Sequence, residues 1–204
     1  MKPDLSEIDR RAIREGIRRK YAEVAVKGNV ASCFKYPTGK DGLLQLGYPE
    51  EILRELPDQI LASFCGVGNP FSLGSINPGE AVLDIGCGAG VDSLVAARLA
   101  GPQGRVVGID ATEAMVEQAR RHRELAGLSN VSFEVASAEA LPFPDRSFDV
   151  VISNGVFNLT LDKEQALREA RRVLKPGGRL MIADMVLIQE LPGDKADKVE
   201  NWFQ

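Results

Sequence analysis

From Glu80 onward, five short apolar runs alternate with helical stretches, and this alternation constrains the fold more than any other feature of the chain. The runs are EAVLDIG, RVVGID, VSFEVAS, FDVVISN and RLMIADMV. The helical stretches include GVDSLVAARLA, TEAMVEQARRHRELAG and LDKEQALREARRVLKPGG. A strand that is apolar at nearly every position is covered on both faces, and helices between strands supply the cover. The expected architecture is α/β, a parallel sheet with helices on both sides. In such sheets ligands bind at the carboxyl ends of the strands, where the strand order switches. The last helix predicts its own ends. Asp162 caps it with Gln165 at the N3 position, and Pro176-Gly177-Gly178 ends it.

Residues 1–78 read as a helical cap, and 79–204 as the sheet domain. Helices are expected at about 6–26, 49–56 and 58–64, with GNVASCFKYPTGKDGLLQLGYP as a loop after the first and GVGNP as a turn after the third. The first helix carries Ile13, Ile17, Tyr21 and Val24 on its apolar face and a basic run from Arg10 to Lys20 on its solvated face.

Composition removes several classes. The net charge of -4 disfavours broad binding to a phosphate backbone, so no nucleic-acid partner is expected. No apolar run is long enough to span a bilayer, and the charged N-terminus is no signal peptide. An odd count of three cysteines (Cys33, Cys65, Cys87) then points to reduced thiols in a cytoplasm. With no CxxC pair and one histidine, a zinc site is not expected. His122, in QARRHREL, reads as a surface residue. Cys87 reads as a small packing residue in the glycine loop, and Cys65, beside Phe64, as core.

The first strand runs into Asp84-Ile85-Gly86-Cys87-Gly88-Ala89-Gly90, where glycines let the backbone turn tightly and approach a ligand. The second strand ends in Asp110, placed to accept hydrogen bonds from ribose hydroxyls. A glycine loop and an acidic residue suit any adenosine ligand, NAD or S-adenosylmethionine.

The runs VLDIGCGAG, VVGIDATEAMVEQAR, AEALPFPDRSFDVVISN and LREARRVLKPGGRLMIAD, in that order, resemble the class I S-adenosylmethionine-dependent methyltransferases. The resemblance implies a Rossmann-like sheet, here without its last two strands, and S-adenosylmethionine as cofactor with S-adenosylhomocysteine as product. It assigns Asp84 and the loop of Gly86, Gly88 and Gly90 to the methionine part. Asp110 and Ala111 go to the ribose, and the Ser137-Ala138-Glu139 turn to the adenine edge. Met115 resembles the residue packed on adenine, though a helix residue there also suits the core. Asn154 faces the methyl-transfer site. The family often has an acidic residue where this chain has Ser137, so Ser137 or Glu139 is left to accept from the adenine amino group.

KYAEVA, GVGNP, SNGVFNLTLDKEQALREARRVLKPGG and ADMVLIQELP narrow the resemblance to the arsenite methyltransferase branch. There the leader tyrosine, here Tyr21, and the GNP turn close over the cofactor, and cysteine thiolates bind trivalent arsenic. Cys33 lies where that branch has its first thiols. It is the candidate arsenic ligand and, with Asn154, the candidate catalytic residue. Gly155 and Val67 stand where the branch has further cysteines. A remaining one follows a tryptophan by three residues. With Trp202 as that tryptophan it would be position 205, so the chain end is expected to be a truncation, by a selenocysteine codon read as a stop or by a nonsense mutation. The fifth strand would then be an exposed apolar edge, and a homodimer is expected through that edge or the terminal segment. The expected partner is otherwise a small-molecule or metalloid acceptor.

Overall fold

The computed structural model describes residues 6–27, 30, 33–34 and 36–186. The expectations placed on Trp202, on the terminal segment and on position 205 lie outside the described residues. Helix α1 (Glu7–Lys27) is followed by the short helices α2 (Gly39–Gln45), α3 (Glu50–Leu53) and α4 (Asp58–Leu61). The strands are β1 (Ala81–Ile85), β2 (Arg105–Asp110), β3 (Val131–Val135), β4 (Phe148–Asn154) and β5 (Leu174–Ala183). Helices α5 (Val91–Ala100), α6 (Glu113–Ala126) and α7 (Lys163–Val173) connect them. No described helix is long and apolar enough to cross a membrane.

The sheet is Rossmann-like, with order β3-β2-β1-β4-β5 and every pairing parallel. The chain reverses direction of travel between β1 and β4, so the switch point lies at their carboxyl ends. Neighbouring strand residues face opposite sides, as the pleat requires. Val82, Val106 and Val150 join one buried cluster with Leu94 and Val95 of α5 and with Leu43 and Phe64 of the leader. Leu83, Val107 and Val151 join the other, with Ala166 and Val173 of α7. Both faces are covered, which is why the central strands are apolar at most positions.

Three details differ from the sequence reading. Helix α2 forms inside the expected loop despite two glycines. Leu43 is fully buried there, and a Cβ on Gly42 would sit 2.7 Å from the Pro37 carbonyl oxygen, so packing overrides propensity. Helix α7 ends at Val173, ahead of Pro176-Gly177-Gly178, because Arg146 N and Ser147 N take the Arg172 and Val173 carbonyls at 2.9 and 2.8 Å. Lys175 to Gly178 then form an irregularity within β5, whose pairing jumps from Phe148↔Leu174 to Val150↔Arg179. His122 is buried, 2 % exposed, with Nδ1 2.8 Å from the Ala89 carbonyl oxygen. The helical spacing of Met115, Ala119 and His122 puts it on the inner face of α6, a periodicity that outweighs its charged neighbours.

The cap on α7 is as expected, with Asp162 Oδ1 accepting from Gln165 N at 3.1 Å. Asp162→Ala should cost about 1 kcal/mol. In a chain of this size that lowers the melting temperature by about 2–4 °C, read by thermal denaturation.

Candidate functional site

A cavity of about 690 Å³ opens at the carboxyl ends of β1, β2 and β4. Its floor is the loop of Gly86, Cys87, Gly88 and Ala89, with φ of +74° at Gly86 and +51° at Gly88, whereas Gly90, at φ +88°, faces Phe133 and Ala119 of the core. The loop is pinned to β2, because Gly86 N and Cys87 N both donate to the Ile109 carbonyl at 2.8 Å. It is also pinned by Gly88 N, which donates to Asp110 Oδ2 at 3.0 Å. Asp110 Oδ1 accepts from Thr112 N at 2.8 Å. Each oxygen keeps a lone pair for a hydroxyl. Burial pushes the Asp110 carboxyl up.

Behind the loop lie Asp84, 2 % exposed, and Asp92, 8 % exposed. Asp84 Oδ2 accepts from Ser93 Oγ at 2.5 Å. Asp92 Oδ1 accepts from the Tyr48 hydroxyl at 2.7 Å and Oδ2 from Asn154 Nδ2 at 2.9 Å. Burial pushes Asp84 well above the usual carboxylate range, and the neighbouring Asp92 charge adds to it. Burial also pushes Asp92 up to about 6, against the two donors that favour its ionised form.

Asn154 stands at the end of β4, on the cavity wall. Its Oδ1 accepts from Val67 N at 2.8 Å and Gly68 N at 3.1 Å. Its Nδ2 donates toward Gly68 O, Asp92 Oδ2 and the Tyr48 hydroxyl. The side chain is thereby committed to holding the 65–69 turn against α5.

Of the residues singled out in the sequence, Tyr21, Ala111, Ser137, Ala138 and Glu139 line the cavity, as do Asp84, Gly86, Gly88, Asp110 and Asn154, whereas Gly90 does not. Burial raises the Tyr21 hydroxyl well above its ordinary range. Met115 does not line it. It is 2 % exposed and packs with Val24, Ala25, Val30 and Ala89 beneath α1, which is the core role. Glu139 turns away from an adenine-accepting role. Its Oε1 accepts from Leu161 N and Asp162 N at 2.9 and 3.1 Å, and its Oε2 from Arg14 at 3.3 Å. The N–H groups ahead of α7 need an acceptor, and this carboxylate is the nearby one. Cys65 is half-buried, packed as expected against a small apolar core cluster, and it also lines the cavity. Cys33 is half-buried in the same small apolar cluster as Cys65 and Tyr21. Cys87 is buried. No group of three or more His, Cys, Asp or Glu side chains could hold a metal ion among the described residues.

Asp92 and Tyr48 were missed by sequence reasoning. The available signal was an acidic residue in the first turn of an otherwise apolar helix, VDSLVAARLA.

The cavity suits S-adenosylmethionine. Its volume lies within the roughly 300–1,000 Å³ usual for ligand sites. The glycine loop lets backbone approach closely, and the buried Asp84 and Asp92 with the half-buried Asp110 complement an ammonium and a sulfonium. The family of methyltransferase domains matches residues 76–204. The chain belongs to the class I S-adenosylmethionine-dependent methyltransferases. This methyltransferase is 36% identical to an arsenite methyltransferase of Halobacterium salinarum over 193 residues, 89% of this chain and 49% of that protein. It is 45% identical to a ubiquinone/menaquinone biosynthesis C-methyltransferase of Pasteurella multocida over 111 residues, 53% of this chain and 41% of that protein. A crystal structure of an arsenic(III) S-adenosylmethionine methyltransferase from Chlamydomonas reinhardtii superposes with a TM-score of 0.66 at 39% identity, covering 72% of this chain and 52% of that one. The methyltransferase thus spans about half the length, or less, of the curated relatives it matches.

Proposed function

We propose that this chain transfers a methyl group from S-adenosylmethionine to a small thiophilic acceptor, arsenite or a related metalloid. The observation that carries the reading is the placement of Cys65 on the cavity wall, with Cys33 in the same apolar cluster. Soft thiolates suit a soft ion, and a thiolate-bound arsenic lone pair is a nucleophile for the methyl group. Burial pushes the Cys65 thiol up to about 12, so the metalloid must displace a proton there. The identity with arsenite methyltransferases supports the same acceptor.

In this reading Asp84 and the glycine loop hold the methionine part, Asp110 the ribose, and the Ser137-Ala138 turn edges the adenine. Bound there, the sulfonium supplies a methyl group already activated by positive charge. The protein contributes alignment and exclusion of water rather than acid–base groups. Tyr21 and, from the 65–69 turn, Cys65 and Gly66 line the cavity, and Asn154 keeps that turn in place. Asp110→Ala removes a charge-assisted hydrogen bond to the ribose, worth roughly 1.5–3 kcal/mol. Cofactor binding should weaken about ten- to a hundredfold, and unchanged affinity in a calorimetric titration would refute the ribose role.

A specific observation favours a second acceptor, an apolar one such as a quinol. A Cβ on Gly155 would lie 3.3 Å from Val67 Cγ1, so the two positions that bear cysteines in the arsenite branch face each other here without a thiol. The test is S-adenosylhomocysteine formation with arsenite and glutathione, set beside a demethylated quinol. Arsenite-dependent turnover that disappears in Cys65→Ser and Cys33→Ser supports the first reading. Quinol-dependent turnover indifferent to both substitutions supports the second. The same proposal includes a homodimer through the β5 edge, where Leu180 and Met185 are exposed. A monomer by light scattering at high concentration counts against that contact.

A further inference from the structure

The sheet order spreads the cofactor contacts along the carboxyl edge. The glycine loop follows β1, Asp110 ends β2, and the Ser137-Ala138-Glu139 turn follows β3, the next strand outward. A base joined to a ribose on Asp110 therefore meets the 137–139 turn. The cavity wall also includes Arg10 and Arg14 of α1, the run Thr160, Leu161 and Asp162, and Gln165 of α7. An adenine amino group in this part of the cavity needs an acceptor. The arginines have none, since a guanidinium only donates. Glu139 is committed to Leu161 N, Asp162 N and Arg14. Thr160 Oγ1 donates to the Phe157 carbonyl. Asp162 Oδ1 caps α7. Ser137 is exposed, and its Oγ already accepts from Glu139 N at 3.2 Å.

Gln165 stands differently. It is half-buried in the first turn of α7, where its backbone N–H is fixed by the Asp162 cap at 3.1 Å. Its Nε2 donates to the Glu139 carbonyl oxygen over a long 3.4 Å. A carbonyl oxygen only accepts, so this contact sets which end of the amide is nitrogen. Oε1 is then the end that has no donor among the described residues. The amide is held against the turn that edges the base, with its acceptor open.

We propose that Gln165 reads the base of the cofactor: its Oε1 accepts from the adenine 6-amino group, the task that the sequence left to Ser137 or Glu139. The proposal rests on the reading above that puts the adenine at the 137–139 turn, and it adds a residue that determines specificity for that base. A purine without the amino group leaves Oε1 unpaired when it binds. A half-buried acceptor left unpaired lowers affinity, and a site built to hydrogen-bond a ligand group rejects the analogue that lacks it. The cap supports this role from behind, because Asp162 fixes the start of α7 and with it the backbone of Gln165.

The test is calorimetric titration of the intact chain with two ligands, S-adenosylhomocysteine and its analogue with hydrogen in place of the 6-amino group. The wild-type chain should bind the analogue about tenfold more weakly. Gln165→Met keeps the length of the side chain and a good helix former. In that variant S-adenosylhomocysteine should lose about the same factor and the analogue should not, so the ratio of the two affinities falls to about one. A role confined to holding the turn would weaken both ligands alike. An unchanged ratio in the variant therefore overturns the proposal and leaves the amino group to Ser137 or Asp162. Equal affinity of the wild-type chain for the two ligands overturns it without any variant. Failure of the wild-type chain to bind either ligand removes the cofactor reading itself, and the proposal with it.

Discussion

Replacing Asn154 with alanine is expected to lower the melting temperature by about 6–12 °C and to abolish most methyl transfer. The side chain accepts from Val67 N and Gly68 N and donates toward Gly68 O, Asp92 and Tyr48. Alanine leaves two backbone donors and one buried carboxylate oxygen without these partners. Each buried group left unsatisfied costs about 1–3 kcal/mol. Water entering from the cavity offsets part of this, so the low end applies and the sum is about 3 kcal/mol. In a chain of this size each kcal/mol moves the midpoint by about 2–4 °C. The catalytic loss has a separate cause, since the 65–69 turn brings Cys65 and Gly66 to the cavity wall and alignment depends on its position. Calorimetry of the variant decides the point. A midpoint shift below about 2 °C would mean that the turn is held by other contacts.

The second large effect is expected at Gly86. Its φ of +74° disfavours any side chain, and a Cβ there would overlap Val156, with Cγ1 only 2.6 Å away. Left-handed backbone alone costs roughly 1–2 kcal/mol. The overlap also forces the loop or Val156 to move, and the loop carries the N–H groups bonded to Ile109 O. Gly86→Ala should therefore weaken cofactor binding about tenfold or more, in addition to lowering stability. Gly79→Ala is the control. Its φ is +86° with nothing within 4 Å of the added carbon, so it carries the backbone cost without displacing the loop. Equal cofactor affinity in the two variants would sink the argument.

The arginine-rich leader helix and the sheet show how unevenly the site could be read. Arg14 looked like part of a solvated basic face, yet it reaches Glu139 across 125 residues of sequence. Glu139 looked like an adenine partner, yet it terminates the N–H groups ahead of α7. Asp110 and the glycine loop, by contrast, sit where the strand ends place them.

The amino-acid sequence alone determined the parallel sheet, the positions of its first four strands, the glycine loop with Asp110, and the Asp162 cap. Each of these is a local signal: apolar runs between helices, glycines at a strand end, a side chain three residues from the N–H it accepts. Tertiary structure alone decided helix α2, the burial of His122, and the assembly of Tyr48, Asp92 and Asn154. Tyr48 and Asp92 are 44 residues apart, and Asp92 and Asn154 are 62 apart. A buried polar group is satisfied by whatever donor the fold brings within reach, and that choice is made by packing rather than by spacing along the chain.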